Sequence, residues 1–96
     1  MSDTYAAARC PVGYMQAGVD RYVNDGMLSS RFLRAIFSND LAGAFCAADD
    51  QNAASMHEWV LFMVNDMPAY LQGSPEKVAA WIEIKHQARI AAEVFA

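Results

Sequence analysis

Histidines are the side chains of this chain that first suggest chemistry, and their spacing does not support it. His57-Glu58 starts like the zinc-protease motif His-Glu-x-x-His, but Leu61 stands where the second histidine would be. His86 and the two cysteines lie far from it, without the closely paired ligands that structural zinc sites use. We therefore expect no metal site, and we interpret His57 as a helix-surface residue.

The two cysteines differ in their sequence surroundings. Cys46 lies between Phe45 and Ala47 in an apolar helical segment, which is typical of a buried, inert thiol. Cys10 belongs to a polar, Ala-rich stretch, residues 1–11, that we interpret as a loose N-terminal arm. The sequence therefore predicts that Cys10 is accessible and that Cys46 is not.

Carboxylates are numerous, but none forms a catalytic pattern. The acids of the last segment alternate with bases, as a solvated helix face does: Glu76, Glu83 and Glu93 against Lys77, Lys85 and Arg89. No glycine loop resembles a phosphate cradle. We expect no cofactor and no enzymatic activity.

A long apolar segment in the middle of the chain organises the predicted fold. Trp59 to Val64 are six apolar residues in succession, and the segment from Asn52 to Met67 is too long for a typical strand. It is also far shorter than the ~18 apolar residues that span a bilayer. We predict one helix over 52–67, and because it is apolar all round we expect other helices to surround it.

Residues that start or end helices divide the chain before that segment. Apolar residues from Val12 to Val23 recur at helical spacing, with Pro11 in the first turn and Gly26 as the stop. Residues 30–49 keep one helical phase after a serine cap at position 29 or 30. Asn39 sits among poor helix formers, so this stretch is either continuous or broken near Asn39, with Asp40 capping a fresh start.

The clearest local signal is Gly73-Ser74-Pro75-Glu76, in which glycine ends one element, serine caps the next and proline opens it. The last helix then runs to about Lys85, beyond which the tail frays or makes an extra contact.

The predicted fold is all-α, a single domain of 96 residues forming a compact bundle of four to five short helices. The predicted core comprises Tyr22, Phe32, Ile36, Trp59, Phe62, Met63 and Trp81.

Composition restricts the partners. The net charge is −4 and there is no Lys/Arg-rich run, which disfavours direct nucleic-acid binding. The chain is 55% hydrophobic, against an average of ~45–50%, so either the core is dense or apolar surface faces a partner or a second copy. We see no secretion signal and no disulfide framework, and we expect a cytoplasmic protein without a membrane segment.

The acidic residues suggest one binding mode. Asp20 and Asp25 belong to the end of the first helix, and Asp49 and Asp50 form a polar corner before the central one. These carboxylates are either helix caps that keep the protein soluble or groups that meet a basic groove on a partner. In the second case the apolar connector between the first two helices supplies the buried centre of the contact. The candidate partner-binding residues are Asp20, Asp25, Met27, Leu28, Asp49 and Asp50.

The order and spacing of the helix-forming, capping and helix-ending residues resemble those of short helical proteins encoded by phages and mobile elements. The resemblance spans about residues 14–82 and is carried by Tyr14-Met15, Gly18, Tyr22-Val23, Gly26, Phe32-Leu33-x-Ala35, Asn39-Asp40-Leu41, Ala48-Asp49, Asn52, Asn65, Pro68 and Gly73-Ser74-Pro75-Glu76. It implies a phage or prophage setting. Some small phage proteins of this kind are anti-CRISPR proteins, which bind a host surveillance complex and block its access to DNA.

Two functions of different class follow from this resemblance. One is a stoichiometric inhibitor of a host defence complex, most plausibly a CRISPR surveillance complex, that acts by surface contact. The other is a structural or assembly protein that pairs with itself or with another phage protein. An acidic patch beside an apolar one favours the inhibitor, whereas a self-complementary apolar face without a charged rim favours assembly.

Overall fold

Helical hydrogen bonding accounts for all the regular structure in residues 9–95, the part of the chain that the computed structural model describes. The predicted all-α class is confirmed, with more helices than expected. Single 3-10 turns form at Gly13–Met15 and Ala69–Leu71. The α-helices are α1 (Gln16–Asp25), α2 (Arg31–Phe37), α3 (Leu41–Ala47), α4 (Asp50–Ala54), α5 (Met56–Asn65) and α6 (Pro75–Phe95).

Side-chain caps at Ser30 and Asp40 start α2 and α3. The hydroxyl of Ser30 accepts a hydrogen bond from the Leu33 amide at 3.1 Å, and the carboxylate of Asp40 accepts one from Gly43 at 2.9 Å. Between the helices, Asn39 has a φ of 63°, a left-handed conformation that asparagine tolerates better than most residues. Of the two alternatives for residues 30–49, a continuous helix or a break near Asn39, the structure therefore has the break.

Glycines end α1 and precede α6. Gly26 has a φ of 66°, and a side chain there would also lie 2.6 Å from Cβ of Lys85 on α6. Before α6, the Ser74 hydroxyl accepts a hydrogen bond from the Lys77 amide at 3.1 Å, which confirms the predicted cap. The predicted start at Pro11 is wrong, because the backbone at Val12 is extended and α1 follows only after the first 3-10 turn.

The predicted central helix over 52–67 is two helices. The carboxylate of Asp49 accepts a hydrogen bond from the Asn52 amide at 2.8 Å, and this cap starts α4 ahead of the predicted boundary. Ser55 then leaves the helical region, with φ −102° and ψ 16°, so that α5 starts at Met56. The chain leaves α5 at Asn65, ahead of Pro68, as expected from the restriction that proline places on its predecessor.

Tyr22 connects four elements at the centre of the bundle. Its side chain is fully buried on α1 and stacks on Phe37 of α2, with ring centroids 4.7 Å apart. Its hydroxyl donates to the carbonyl of Leu71 in the second 3-10 turn. Its own carbonyl accepts a hydrogen bond from the indole of Trp81 on α6 at 2.9 Å.

Most of the predicted core is confirmed. Tyr22, Phe32, Ile36, Trp59, Phe62 and Met63 are buried. Trp81 is the exception, because it is only half-buried. Its ring lies near the surface between Tyr70 and the ammonium group of Lys85, which sits 5.0 Å above it.

The last helix extends beyond the body of the bundle. With 21 residues it is about 31 Å long, and the molecule measures 45 Å in its longest direction. Its first half packs through Val78, whereas residues 86–94 are exposed. The guanidinium of Arg89 donates to the carbonyl of Asp25, which is the extra contact that the sequence left open for the tail.

The accessibility of the two cysteines is the reverse of the prediction. Cys10 is buried: its amide donates to the Gln16 side chain at 2.8 Å and its thiol contacts the Val12 carbonyl at 3.2 Å. Cys46 is exposed, because α3 buries only Ala44. Residues 1–8 of the predicted loose arm lie outside the described residues.

We therefore expect Cys46 to react first with a thiol reagent in the native protein. Burial raises the pKa of the Cys10 thiol, so that less thiolate is present there at neutral pH. Mass spectrometry of the labelled peptides over time measures both rates, and labelling in denaturant is the control. Labelling of Cys10 at the rate of Cys46 in the native protein would contradict the packing of residues 10–12.

A second prediction concerns alkaline pH. Burial raises the pKa of Tyr22 above its usual value, so the unfolded chain loses this proton first, near pH 10. The stability contributed by the protonated phenol is complete below that pH and is lost as pH rises above it. Tyr22→Phe should cost about 0.5–1.5 kcal/mol at pH 7 through the lost hydrogen bond.

Tyr22→Phe should also lose less stability than the parent between neutral pH and about pH 11. Urea denaturation at both pH values measures the difference. An equal alkaline loss in the two proteins would mean that Tyr22 is not buried as a phenol.

Candidate functional site

The orientation of α5 determines which apolar residues meet solvent. Trp59 is fully buried, and its indole donates to the side-chain carbonyl of Asn52, also buried, at 3.1 Å. Its ring makes edge contacts with Phe32 and Phe62, with centroids 5.2 and 5.9 Å away. These contacts fix the rotation of α5 about its axis.

The opposite face of α5 is apolar and exposed. Val60, Leu61 and Val64 are 40%, 45% and 73% exposed. We call these three residues the α5 ridge. The expectation that α5 is enclosed on every side is therefore wrong, because the neighbouring helices cover only the face that carries Trp59.

Grooves with acidic residues flank the ridge on both sides. A groove of about 240 Å³ beside Val60 and Val64 is lined by Asp40 and Leu41. A second groove, of about 280 Å³ beside Leu61, is lined by Glu58 and Asp66, with Arg9 also present. The apolar ridge thus lies between acidic rims that carry three carboxylates and one guanidinium.

The predicted acidic corner is engaged within the molecule. Asp49 caps α4, and its carboxylate also accepts a hydrogen bond from the hydroxyl of Tyr14. That hydrogen bond, together with the Asn52 amide, holds the pKa of Asp49 below its usual value, and it raises the pKa of Tyr14. Asp50 is exposed in the first turn of α4, where a carboxylate favours the helix N-terminus.

The other predicted site residues lie along α1 and after it. Asp20 accepts a hydrogen bond from the side chain of Gln16 at 3.0 Å. Asp25 is exposed at the end of α1. In the connector that follows, Met27 is 50% exposed, whereas Leu28 is partly buried against the core.

The structure separates these residues into two groups. Asp49 contacts Tyr14, before the start of α1, whereas Asp25 and Met27 are at its far end. A ten-residue helix is about 15 Å long, so one small contact does not cover both groups. Met27 and Leu28 also lie beside Arg21 and Arg34 in a groove, so their surroundings are basic.

The apolar residues of the α5 ridge stand out in the sequence, but the sequence does not predict that they are exposed. The succession Trp59–Val64 was interpreted as a helix enclosed by protein. The same pattern also fits a helix with one buried face and one apolar surface, and single-sequence periodicity does not separate the two. Glu58 and Asp66 lie beside this run in the sequence, whereas Asp40 comes from α3 and is distant in sequence, so its place beside the ridge depends on the fold.

Residues 9–95 bring together no group of three His, Cys, Asp or Glu side chains that could hold a metal ion. In the same range, no helix combines the length and apolar character needed to cross a membrane. Comparison with known proteins finds no match to a protein family, to a curated protein or to a solved structure. The geometry of the chain is therefore the basis for any functional proposal.

A pair of substitutions on α5 tests the assignment of its two faces. Val64→Lys should change the free energy of unfolding by less than about 0.5 kcal/mol, because the side chain is exposed in the last turn, where a cation suits the helix C-terminus. Trp59→Ala should cost about 3–5 kcal/mol, as aromatic truncations in cores do. Chemical denaturation measures both. A Trp59→Ala variant as stable as the parent would place this ring at the surface.

Proposed function

We propose that this protein is a non-catalytic binding protein that acts by surface contact, with the α5 ridge at the centre of its interface. The observation that carries the proposal is the exposed apolar ridge between acidic rims. An interface of this kind needs an apolar centre that excludes water and a charged rim that selects the partner. The ridge provides the first and Asp40, Glu58 and Asp66 the second.

The charge of the rim indicates the chemistry of the partner. Three carboxylates against one guanidinium, on a chain of net charge −4, complement a surface rich in lysine and arginine. Surfaces of this charge are typical of proteins that hold nucleic acid. We therefore propose a basic, nucleic-acid-handling host complex as the partner.

The more specific proposal is an anti-CRISPR-like inhibitor from a phage, acting in the host cytoplasm. Two observations support it. The spacing of helix-starting and helix-ending residues resembles that of small phage proteins, and acidic rims lie beside the apolar α5 ridge. In mechanism, the rim carboxylates occupy Lys and Arg side chains that otherwise hold target DNA. The ridge meanwhile supplies the desolvated centre that contributes most of the binding energy.

In the acidic corner, Asp50 is exposed in the first turn of α4, whereas Asp49 caps that helix and so has a structural role. Because Asp49 caps α4 and holds Tyr14, its charge reversal would weaken the fold together with any binding. Asp50 does not cap the helix, so Asp50→Asn, which removes the charge without placing a cation at the helix N-terminus, is the cleaner test of the acidic corner.

The deciding assay measures target-DNA binding by purified CRISPR surveillance complexes, with and without a molar excess of this protein. We expect the parent protein to reduce DNA binding. Val64→Lys should weaken inhibition about 10- to 30-fold, as expected when a central interface residue is lost. Val94→Lys, which places the same charge at an exposed position of α6, is the matched control and should inhibit like the parent.

Added salt should weaken inhibition, but less steeply than it weakens DNA binding, because only part of the interface is charged. If complexes of the common CRISPR types bind and cleave DNA normally in the presence of this protein, the inhibitor function is wrong. If Val64→Lys inhibits as well as Val94→Lys, the inhibitor function stands and the ridge is not its surface.

A further inference from the structure

A second groove on the molecule has the opposite charge to the ridge. It encloses about 530 Å³ between the α1–α2 connector and α6, and Met27, Leu28 and Ile82 form its apolar part. Arg21 from α1 and Arg34 from α2 also line it. We call it the arginine groove.

The positive charge of this groove is not neutralised within the described chain. Among residues 9–95, neither Arg21 nor Arg34 has a carboxylate within ion-pairing distance. Arg34 also lines an adjoining groove of about 340 Å³ together with Arg31 and with Asp40, the carboxylate that also lines the groove beside Val60 and Val64. Three of the seven basic residues of this acidic chain are thus on one side of the molecule. A guanidinium group matches a carboxylate in a two-pronged hydrogen-bonded pair, so this side is suited to an acidic surface.

The α5 ridge is the complementary surface on the same molecule. It is apolar and exposed, and carboxylates flank it on both sides, at Asp40 and at Glu58, with Arg9 also on the Glu58 side. The arginine groove is concave, its apolar part is formed by Met27, Leu28 and Ile82, and Arg21 and Arg34 line it from two different helices. When the ridge enters the groove, apolar surface meets apolar surface and each acidic rim meets an arginine.

The charges also disfavour the alternative pairing of two ridges. Face-to-face contact of identical ridges would bring acidic rims together, and like charges across an interface oppose association. A symmetric dimer through α5 is therefore unfavourable. Contact of the ridge with the groove joins different surfaces of the two copies, which is a heterologous arrangement.

We propose that the occupant of the arginine groove is the α5 ridge of a second copy of this chain, so that the protein associates head to tail. Because each copy keeps one free ridge and one free groove, association continues beyond a dimer unless the geometry closes a ring. The contact covers the ridge that the proposed function assigns to the partner. That self-association and partner binding exclude each other rests on the proposed function, whereas the contact itself rests on the charges of the ridge and the groove.

The test measures the mass of the purified protein alone by sedimentation over roughly a hundredfold range of concentration. The parent should form dimers and then larger species as concentration rises, and added salt should shift this series to higher concentration. Val64→Lys, which places a base in the ridge, and Arg34→Glu, which places an acid in the groove, should each remain monomeric. Val94→Lys should associate like the parent.

Mixing the two monomeric variants distinguishes ridge-to-groove contact from ridge-to-ridge and groove-to-groove contact. Val64→Lys keeps an intact groove and Arg34→Glu keeps an intact ridge, so an equimolar mixture should associate through these two intact surfaces although each variant alone is monomeric. Circular dichroism checks that both variants are folded. Arg21→Glu replaces Arg34→Glu if the latter is not folded.

A parent protein that stays monomeric at every concentration would overturn the proposal. So would a mixture of the two variants in which both remain monomers. Because the DNA-binding assay is run at concentrations where the parent is monomeric, loss of self-association leaves the proposed function untouched, and loss of inhibition leaves this proposal untouched.

Discussion

The buried hydrogen bond between Trp59 and Asn52 is the constraint on which the arrangement of this molecule depends. The two side chains are sequestered from solvent, so an indole without its acceptor would leave an unsatisfied polar group in the core. The bond requires α4 and α5 to keep their relation across the break at Ser55. The bond also holds the Trp59 side of α5 against the core. Val60, Leu61 and Val64 lie on the other side of the helix and are therefore exposed to solvent.

Local rules predicted much of the fold. Ser30, Asp40 and Ser74 cap helices where hydroxyl and carboxylate caps were expected, and Gly26 and Asn39 take the left-handed conformations that end a helix or separate two. Each of these caps and turns depends on a few neighbouring residues, so a single sequence is enough to predict it. The break at Ser55 was missed because Ser55 stands within an apolar, Ala-rich segment in which no glycine or proline marks it.

The errors concern which side of each helix is covered, and this depends on distant parts of the chain. Cys46 belongs to an apolar segment, but α3 packs through Ala44 and turns the thiol outward. Cys10 is buried because the chain folds back on α1 through Gln16. The candidate site shows the same limit: Asp25, Asp49 and Asp50 lie at helix ends as predicted, Asp20 lies in the middle of α1 instead, and the exposed ridge required knowledge of what α5 packs against.

The exposure of the α5 ridge is the central claim, and solution NMR with a soluble paramagnetic agent measures it most directly. Such an agent broadens methyl resonances in proportion to their access to solvent. The methyl groups of Val60, Leu61 and Val64 should be broadened strongly in dilute protein, while those of Val19 and Val78, which are buried, should be protected. Protection of all three ridge residues in the monomer would show that another part of the chain covers them, and it would contradict both the binding surface and the head-to-tail contact.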